Sequence, residues 1–178
     1  MVTLTSTQKD KRLGNEYNAL KKIPLNGLWS WRPAPGETPP RVRRYLVYYY
    51  DTAPLLKEQF LGIKTLETQK RLVMEMTLTD GYPQVMPAAR IIEGEQPYLP
   101  NFFTSGSICF GHLYTPGLFL WEWFNKVGQL LLGDPEYTGY TGNELGELPA
   151  NSAADAYYRA HMSSFPVRKV PSSRPADI

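Results

Sequence analysis

The stretch "RLVMEMTLT" (residues 71–79) has a regular alternation that decides the fold class. Large apolar side chains occupy every second position, namely Leu72, Met74, Met76 and Leu78. A period of two places successive side chains on opposite faces of a β-strand. The stretch therefore predicts a strand with one face against the core.

Three further strand candidates lie on either side of this stretch. They are "RVRRYLVYYY" (41–50), "EQFLGIKTL" (58–66) and "AARIIE" (88–93). The connections are short, and the turn "DGYPQVMP" (80–87) joins the last two strands, so the simplest topology is a four-stranded antiparallel meander. A Pro-rich stretch before the first strand holds a short extended piece at residues 29–31.

Helical patterns occur at both ends of the chain. "STQKDKRLGNEYNALKKI" (6–23) places Leu13, Tyr17 and Leu20 on one stripe, with Ser6 or Thr7 as its N-cap. "LFLWEWFNKVGQLLLG" (118–133) is apolar nearly all round, which predicts a central, buried helix ending at Gly133. "PANSAADAYYRAHM" (149–162) predicts a second C-terminal helix. The predicted class is therefore α+β: an N-terminal helix, the meander sheet, an irregular segment, and two or more C-terminal helices.

Composition indicates an ordered globular protein of one domain. The chain has 178 residues, of which 42% are hydrophobic and 20% charged. We place the domain at residues 7–160 and predict a flexible Ser/Pro-rich tail at 161–178. The net charge of +2, from 19 basic and 17 acidic residues, is too balanced to suggest nucleic-acid binding. Because no apolar run reaches membrane-spanning length and no signal peptide is evident, we expect no membrane partner and a cytoplasmic location.

The chain has a single cysteine, Cys109, within "PYLPNFFTSGSICFG" (97–111). One cysteine forms no intrachain disulfide. With two histidines it also supplies too few ligands for a metal site, so we expect neither metal nor cofactor.

Cys109 and Asn101 form the candidate catalytic pair. A thiolate is a nucleophile, and an asparagine N–H at a suitable distance can stabilise an oxyanion formed beside the sulfur. Pro100 restricts the backbone that orients Asn101. No His/Asp pair stands ready as base and orienting group, which favours thioester exchange over hydrolysis. Two alternatives stay open: a cysteine hydrolase that uses His112 or His161, and a purely structural cysteine.

The order of these motifs resembles that of the ubiquitin-conjugating enzymes, over about residues 7–160. "DGYPQVMP" resembles their Tyr-Pro turn, "YLPN" (98–101) their His-Pro-Asn element, and "SGSICFG" (105–111) their active-site segment. "QLLLGDP" (129–135) and "LPANSAADAYYR" (148–159) resemble the end of one family helix and the start of the next. The resemblance implies the family's UBC fold and a divergent member of prokaryotic type, from a bacterial conjugation or antiviral system.

The resemblance also implies an activity and partners. Cys109 would accept a ubiquitin-like protein from an activating enzyme as a thioester and transfer it to a lysine of a target protein. Asn101 would stabilise the oxyanion or hold the local loop. Lys9, Lys11 and Arg12 would dock the activating enzyme, the alternative being a plain solvated helix face.

Two departures from the family pattern bear on activity. Leu99 stands where the family has the His of His-Pro-Asn, and Leu148 where it often has an Asp before the helix-opening proline. Acidic support for the lysine nucleophile would then come from Glu147, or alternatively from Asp134 or Glu144. These departures keep a second function open, that of a catalytically inactive UBC- or RWD-like binding module.

Overall fold

The computed structural model describes residues 5–24, 26–59, 62–138 and 149–169. Within these ranges the helices are α1 (Ser6–Lys22), α2 (Leu120–Leu131), α3 (Pro135–Thr138) and α4 (Ser152–Ala160). The strands are β1 (Trp29–Pro33), β2 (Arg44–Glu58), β3 (Lys64–Thr77) and β4 (Ala88–Glu93). No helix in the described part of the chain is long and apolar enough to cross a bilayer.

The four strands form one antiparallel sheet in the order β1-β2-β3-β4. The predicted α+β class and meander topology are confirmed. The predicted strand at residues 58–66 is wrong, because it spans the β2–β3 turn. Gln59 N–H bonds to the carbonyl of Ile63 at 2.7 Å, and Gly62 adopts a left-handed φ of 74° that a turn requires. The missing strand is β1, of which the sequence predicted only a short extended piece.

Strand β3 bears out the alternation in its sequence. Leu72, Met74 and Met76 are fully buried in the main core, which lies between the sheet and the helices. Val73 points to the other face of the sheet and packs in a small separate cluster with Ala34 and Leu46. One face of the strand therefore faces the helices, as its period predicts.

Helix α1 lies against this core through Leu13 and Leu20, and Tyr17 packs at the edge. Its N-cap is Thr5 rather than Ser6 or Thr7. The Thr5 hydroxyl accepts from the Gln8 N–H, and the Gln8 side chain accepts from the Thr5 N–H, which together make a capping box.

Helix α2 is the centre of the fold, as predicted. Trp123, Phe124, Val127 and Leu130 are completely buried. The helix ends at Leu131, and Gly133 follows with a left-handed φ of 72°. A β-carbon at Gly133 would lie 2.4 Å from the Phe165 ring, so both backbone and space require glycine there.

The C-terminal segment (residues 161–169) folds back onto the domain. Phe165 is buried, the Val167 N–H bonds to the Leu132 carbonyl at 2.9 Å, and Arg168 binds backbone carbonyls near β2. Residues 161–169 therefore pack on the rest of the chain, while the domain bounds of 7–160 and the flexible tail stay predictions. The sequence suggested a tail because Ser and Pro dominate it, but Phe165 and Arg168 supply the contacts. Residues 170–178 of the predicted tail lie outside the described residues.

Candidate active site

A short hairpin brings Asn101 beside Cys109. Phe102 and Ile108 form an antiparallel bridge, and the Phe103 N–H bonds to the Ser107 carbonyl at 2.9 Å. Gly106 sits in the tight turn with a φ of 88°. At the base of the hairpin the Cys109 N–H donates to the Asn101 carbonyl at 2.8 Å. The eight-residue spacing seen in the sequence thus places the two residues opposite each other.

The carboxamide of Asn101 binds the backbone around Cys109. Its Nδ2 donates to the Cys109 carbonyl at 3.2 Å and to the Thr138 carbonyl at 3.3 Å. Both partners are acceptors, so they fix which end of the amide carries nitrogen. Oδ1 is buried and has no hydrogen-bond partner among the described residues. In this state Asn101 clamps the hairpin, and both of its donor hydrogens are occupied.

Cys109 is a free cysteine, and the residue is partly exposed. The next residue, Phe110, is buried and packs edge-on against Trp123 of α2, with ring centroids 4.9 Å apart. This packing anchors the backbone immediately after the cysteine. Cys109 is therefore a partly exposed residue on an anchored backbone.

A network that the sequence analysis missed supports the Asn101 clamp. Thr138, at the end of α3, is buried, and its hydroxyl lies 3.4 Å from the Tyr158 hydroxyl. Tyr158 donates to the Gly133 carbonyl at 2.9 Å, and burial raises its pKa. The Asn151 N–H binds the Pro100 carbonyl at 3.0 Å. Tyr158 lies in the stretch "LPANSAADAYYR" quoted above, but nothing in the sequence indicated its hydrogen-bond partners.

The three basic residues predicted to form a docking face have different surroundings. Lys11 is exposed, whereas the Lys9 ammonium donates to the Asp80 carbonyl at 2.9 Å. Arg12 points into the protein, where it donates to the Leu118 carbonyl at 2.8 Å and pairs with Glu16 at 2.6 Å. Among the three, Lys11 is the residue whose side chain is free to meet a partner.

Glu16 is a completely buried carboxylate that the sequence analysis also missed. Besides Arg12 it accepts from the Tyr82 hydroxyl at 2.6 Å and from the Leu120 N–H at 2.7 Å. Burial works to lower the pKa of Arg12, but the charge of Glu16 and the bond to Tyr82 outweigh it and raise that pKa. Burial and the neighbouring Glu16 charge raise the pKa of Tyr82. The i,i+4 spacing of Arg12 and Glu16 was the available signal.

Of the three candidates for acidic support, Asp134 is the one within the described residues. Glu147 and Glu144 lie outside the described residues. The Asp134 carboxylate accepts from the Glu136 N–H at 3.0 Å at the start of α3. Its observed contact is therefore that of a helix cap, and Glu147 remains a prediction.

The hydrolase alternative requires His112 or His161 to act with Cys109. His161 Nδ1 lies 2.9 Å from the Tyr157 carbonyl, and its ring stacks on Tyr157 with centroids 4.1 Å apart. The backbone of His112 forms part of a short 3₁₀ turn after Cys109, but its side chain is outside the described set. Among the described residues, no group of three His, Cys, Asp or Glu side chains could hold a metal ion.

An open groove of about 380 Å³ runs between β4 and the hairpin. Residues 89–91 of the edge strand line one side and residues 105–107 the other, with Gln96 between them. The Gln96 amide donates to the Phe103 carbonyl at 2.7 Å, which ties the groove wall to the hairpin. The lining residue nearest to Cys109 in the sequence is Ser107, two residues before it.

Comparison with known proteins identifies the fold. Human ubiquitin-conjugating enzyme E2 G1 is similar in structure, with a TM-score of 0.52 and 17% identity, over 74% of this chain and 100% of that one. The E2 domain of a ubiquitin-conjugating enzyme from Toxoplasma gondii gives a TM-score of 0.52 and 16% identity, over 88% and 90% of the two chains. The chain has the UBC fold.

No protein-family model and no curated protein matches the chain. At these identities the structural likeness extends to the fold alone. Within the UBC fold, the residues that matched the family's His-Pro-Asn and active-site motifs in the sequence form the two sides of the Asn101–Cys109 hairpin.

Proposed function

We propose that this protein is a conjugating enzyme that carries a ubiquitin-like protein as a thioester on Cys109. The observation that carries the proposal is a partly exposed, free cysteine on a hairpin whose base is closed by Asn101, on a UBC fold. A carrier needs a nucleophile that large partners can reach and a backbone that holds it still. The partial exposure of Cys109 and the hydrogen bonds around it support this proposal.

The proposed reaction has two exchanges at the sulfur. In loading, the Cys109 thiolate attacks the thioester carbonyl on an activating enzyme; a new C–S bond forms, and the activating enzyme's cysteine leaves as a thiolate. In transfer, a lysine amine of the target attacks the Cys109 thioester. A C–N bond forms, Cys109 leaves as a thiolate, and the nitrogen releases one proton to a base or to solvent.

Asn101 has a defined task in this scheme. In the resting state it holds the Cys109 and Thr138 carbonyls, so the hairpin keeps its shape during both exchanges. To donate to an oxyanion, Asn101 would have to release one of these two carbonyls. Holding the loop is therefore its primary role in the proposal, and oxyanion stabilisation requires a local rearrangement.

Partners and setting follow from the same scheme. The activating enzyme would approach α1, where Lys11 is exposed, and the target segment would approach along the groove beside β4. Glu147 is the proposed acidic support for the incoming amine. A bacterial conjugation or antiviral system as the setting, and the cytoplasm as the location, stay predictions from the sequence resemblance.

The test is thioester formation with purified components. The protein is incubated with ATP and each pair of activating enzyme and ubiquitin-like protein encoded near its gene, and also with ubiquitin and a ubiquitin-activating enzyme. We expect a band shift that dithiothreitol removes, a dithiothreitol-resistant ester with Cys109→Ser, and no adduct with Cys109→Ala. An adduct retained by Cys109→Ala would exclude this nucleophile.

The binding-module alternative is favoured by one observation, the occupation of both Asn101 donors by backbone carbonyls. It predicts no thioester with any pair, even though Cys109 reacts with a maleimide under native conditions. In that case the UBC fold would serve to bind partners, and its sheet or helix faces would be the surfaces to map.

A further inference from the structure

We propose that the C-terminal segment (residues 161–169) positions Asn101, with Phe165 and Arg168 as positioning residues. The inference rests on the proposed function in that Asn101 supports the Cys109 thioester. Two side chains far along the chain support Tyr98 and Leu99, the first two residues of the strip (residues 98–101) that leads into Asn101.

Phe165 acts near Leu99, the second residue of the strip. It is buried, lies against Gly133 together with Leu99, and packs on Tyr158 with ring centroids 4.5 Å apart. Leu99 is itself completely buried. Because both side chains lie against Gly133 and Leu99 stands two residues before Asn101, removing the Phe165 ring would open a cavity close to Leu99.

Arg168 acts at a bulge in β2. Its guanidinium donates to the carbonyls of Tyr50 at 2.7 Å, Asp51 at 3.2 Å and Gly27 at 3.1 Å. The register of β2 on β3 shifts between Thr52 and Pro54, which leaves Ala53 as the extra residue. Guanidinium groups suit such sites because several N–H donors point in one plane.

The bulge has strained backbone conformations that Arg168 helps to stabilise. Asp51 and Ala53 have φ values of 48° and 57°, a left-handed region unusual for residues other than glycine. Such conformations persist where surrounding contacts fix them. Arg168 supplies those contacts on one side of the bulge, at the carbonyls of Tyr50 and Asp51.

The other side of the bulge holds the start of the strip. The Pro54 carbonyl accepts from the Tyr98 N–H at 2.7 Å. The Gln69 amide donates to the Ala53 carbonyl at 3.3 Å and to the Glu95 carbonyl at 2.7 Å. The bulge therefore stands between Arg168 and Tyr98, and its shape sets where Tyr98 lies.

The two contacts together make the C-terminal segment a support for the active-site hairpin. Arg168 binds the bulge that accepts from Tyr98, and Phe165 lies with Leu99 against Gly133. Asn101 follows directly and closes the hairpin on Cys109. Loosening either contact should let Asn101 drift from Cys109 while the distant sheet and α1 stay in place.

The experiment compares Phe165→Ala and Arg168→Ala with Met162→Ala, an exposed residue of the same segment. The first readout is hydrogen exchange of the Tyr98 and Cys109 amides, which donate to Pro54 and Asn101. We expect exchange at both to rise about tenfold in the two test variants and to stay unchanged in the control. Arg168→Lys, which keeps a donor but loses the planar fork, should fall between Arg168→Ala and the wild type.

The second readout separates discharge from loading. Discharge of the Cys109 thioester to free lysine should slow about tenfold in the test variants, whereas loading should change less than about twofold. Where Phe165→Ala does not fold, Phe165→Leu replaces it and the same comparison decides.

The outcomes separate the two proposals. Exchange at Tyr98 and Cys109 equal to that of Met162→Ala in both test variants would overturn the positioning role. Equal slowing of loading and discharge would overturn it too, since a general loss of structure affects both steps. If the wild type itself forms no thioester, the proposed function fails, and the exchange data alone decide whether the segment positions Asn101.

Discussion

Asn101 and Cys109 are joined by two hydrogen bonds that run in opposite directions. The Cys109 N–H donates to the Asn101 carbonyl at 2.8 Å, and the Asn101 side chain donates back to the Cys109 carbonyl at 3.2 Å. This reciprocal pair closes the hairpin at its base. The side chain therefore contributes to stability as well as to any chemistry at the sulfur.

Asn101→Ala should lower the free energy of unfolding by about 2–3 kcal/mol, because the buried Thr138 carbonyl and the part-buried Cys109 carbonyl lose their donor. Asn101→Asp should cost more, since a carboxylate would face the Cys109 and Thr138 carbonyls. Urea unfolding at neutral pH measures both. Wild-type stability in Asn101→Ala would show that the clamp contributes nothing, and would leave oxyanion stabilisation as the role for this residue.

Removal of the buried Glu16 carboxylate should destabilise the protein strongly. Glu16→Ala leaves Arg12 and the Tyr82 hydroxyl without their partner inside the protein, which typically costs about 3–5 kcal/mol. Glu93→Ala is the matched control, because Glu93 pairs with Arg71 at an exposed position. That control should leave the urea midpoint unchanged. Similar midpoints for the two variants would contradict the assigned role of the Glu16 network.

Charge reversal on α1 should separate docking from stability. Lys11→Glu should slow loading about threefold to tenfold at low ionic strength and leave unfolding unchanged, because Lys11 is exposed. Arg12→Ala should instead lower stability, since its guanidinium binds Leu118 and Glu16. Lys70→Glu, an exposed reversal on β3, is the control for net charge. Equal slowing by the Lys11 and Lys70 variants would argue against docking at α1.

The free energy of unfolding should fall at alkaline pH, because burial raises the pKa of tyrosines in the folded protein. Burial raises the pKa of Tyr114 to about 12, and its hydroxyl donates to the Pro83 carbonyl at 2.6 Å. In the unfolded chain tyrosine ionises near pH 10. Below that pH both states hold the proton; above it the unfolded state loses its proton first, so the free energy of unfolding falls from about pH 10 to about pH 12.

Tyr114→Phe tests this pH dependence. The variant should be less stable than the wild type at pH 8 by about 1 kcal/mol through the lost hydrogen bond. Its stability should then decline less steeply than that of the wild type across the alkaline range. Parallel curves from pH 9 to pH 12, measured by urea unfolding, would exclude Tyr114 as a contributor.

Local patterns predicted the elements whose periodicity reflects burial on one face. Strand β3 and helix α1 are such elements, because a shift of their pattern would take apolar side chains out of the core. The prediction failed at residues 58–66, where apolar residues suggested a strand. There the turn conformation of Gly62 outweighed strand propensity. Strand β1 was too short, and too close to prolines, to show a period.

At the candidate site, the eight-residue spacing predicted that Asn101 would meet Cys109. A hairpin with Gly106 in its turn brings this about. The direction of the carboxamide was not predictable in the same way. It depends on the Thr138 carbonyl, 37 residues further along the chain, and Thr138 in turn lies beside Tyr158.

The sequence by itself determined the α+β class, strand β3, helices α1 and α2, and the pairing of Asn101 with Cys109, since the evidence for each is a pattern or spacing within a short stretch. The tertiary structure alone decided which groups the polar side chains bind. Arg12 pairs with the buried Glu16, and Arg168 donates to two backbone carbonyls of β2 and to one just before β1. Such bonds join segments distant in sequence, and their geometry exists only once the core has set the distances between them.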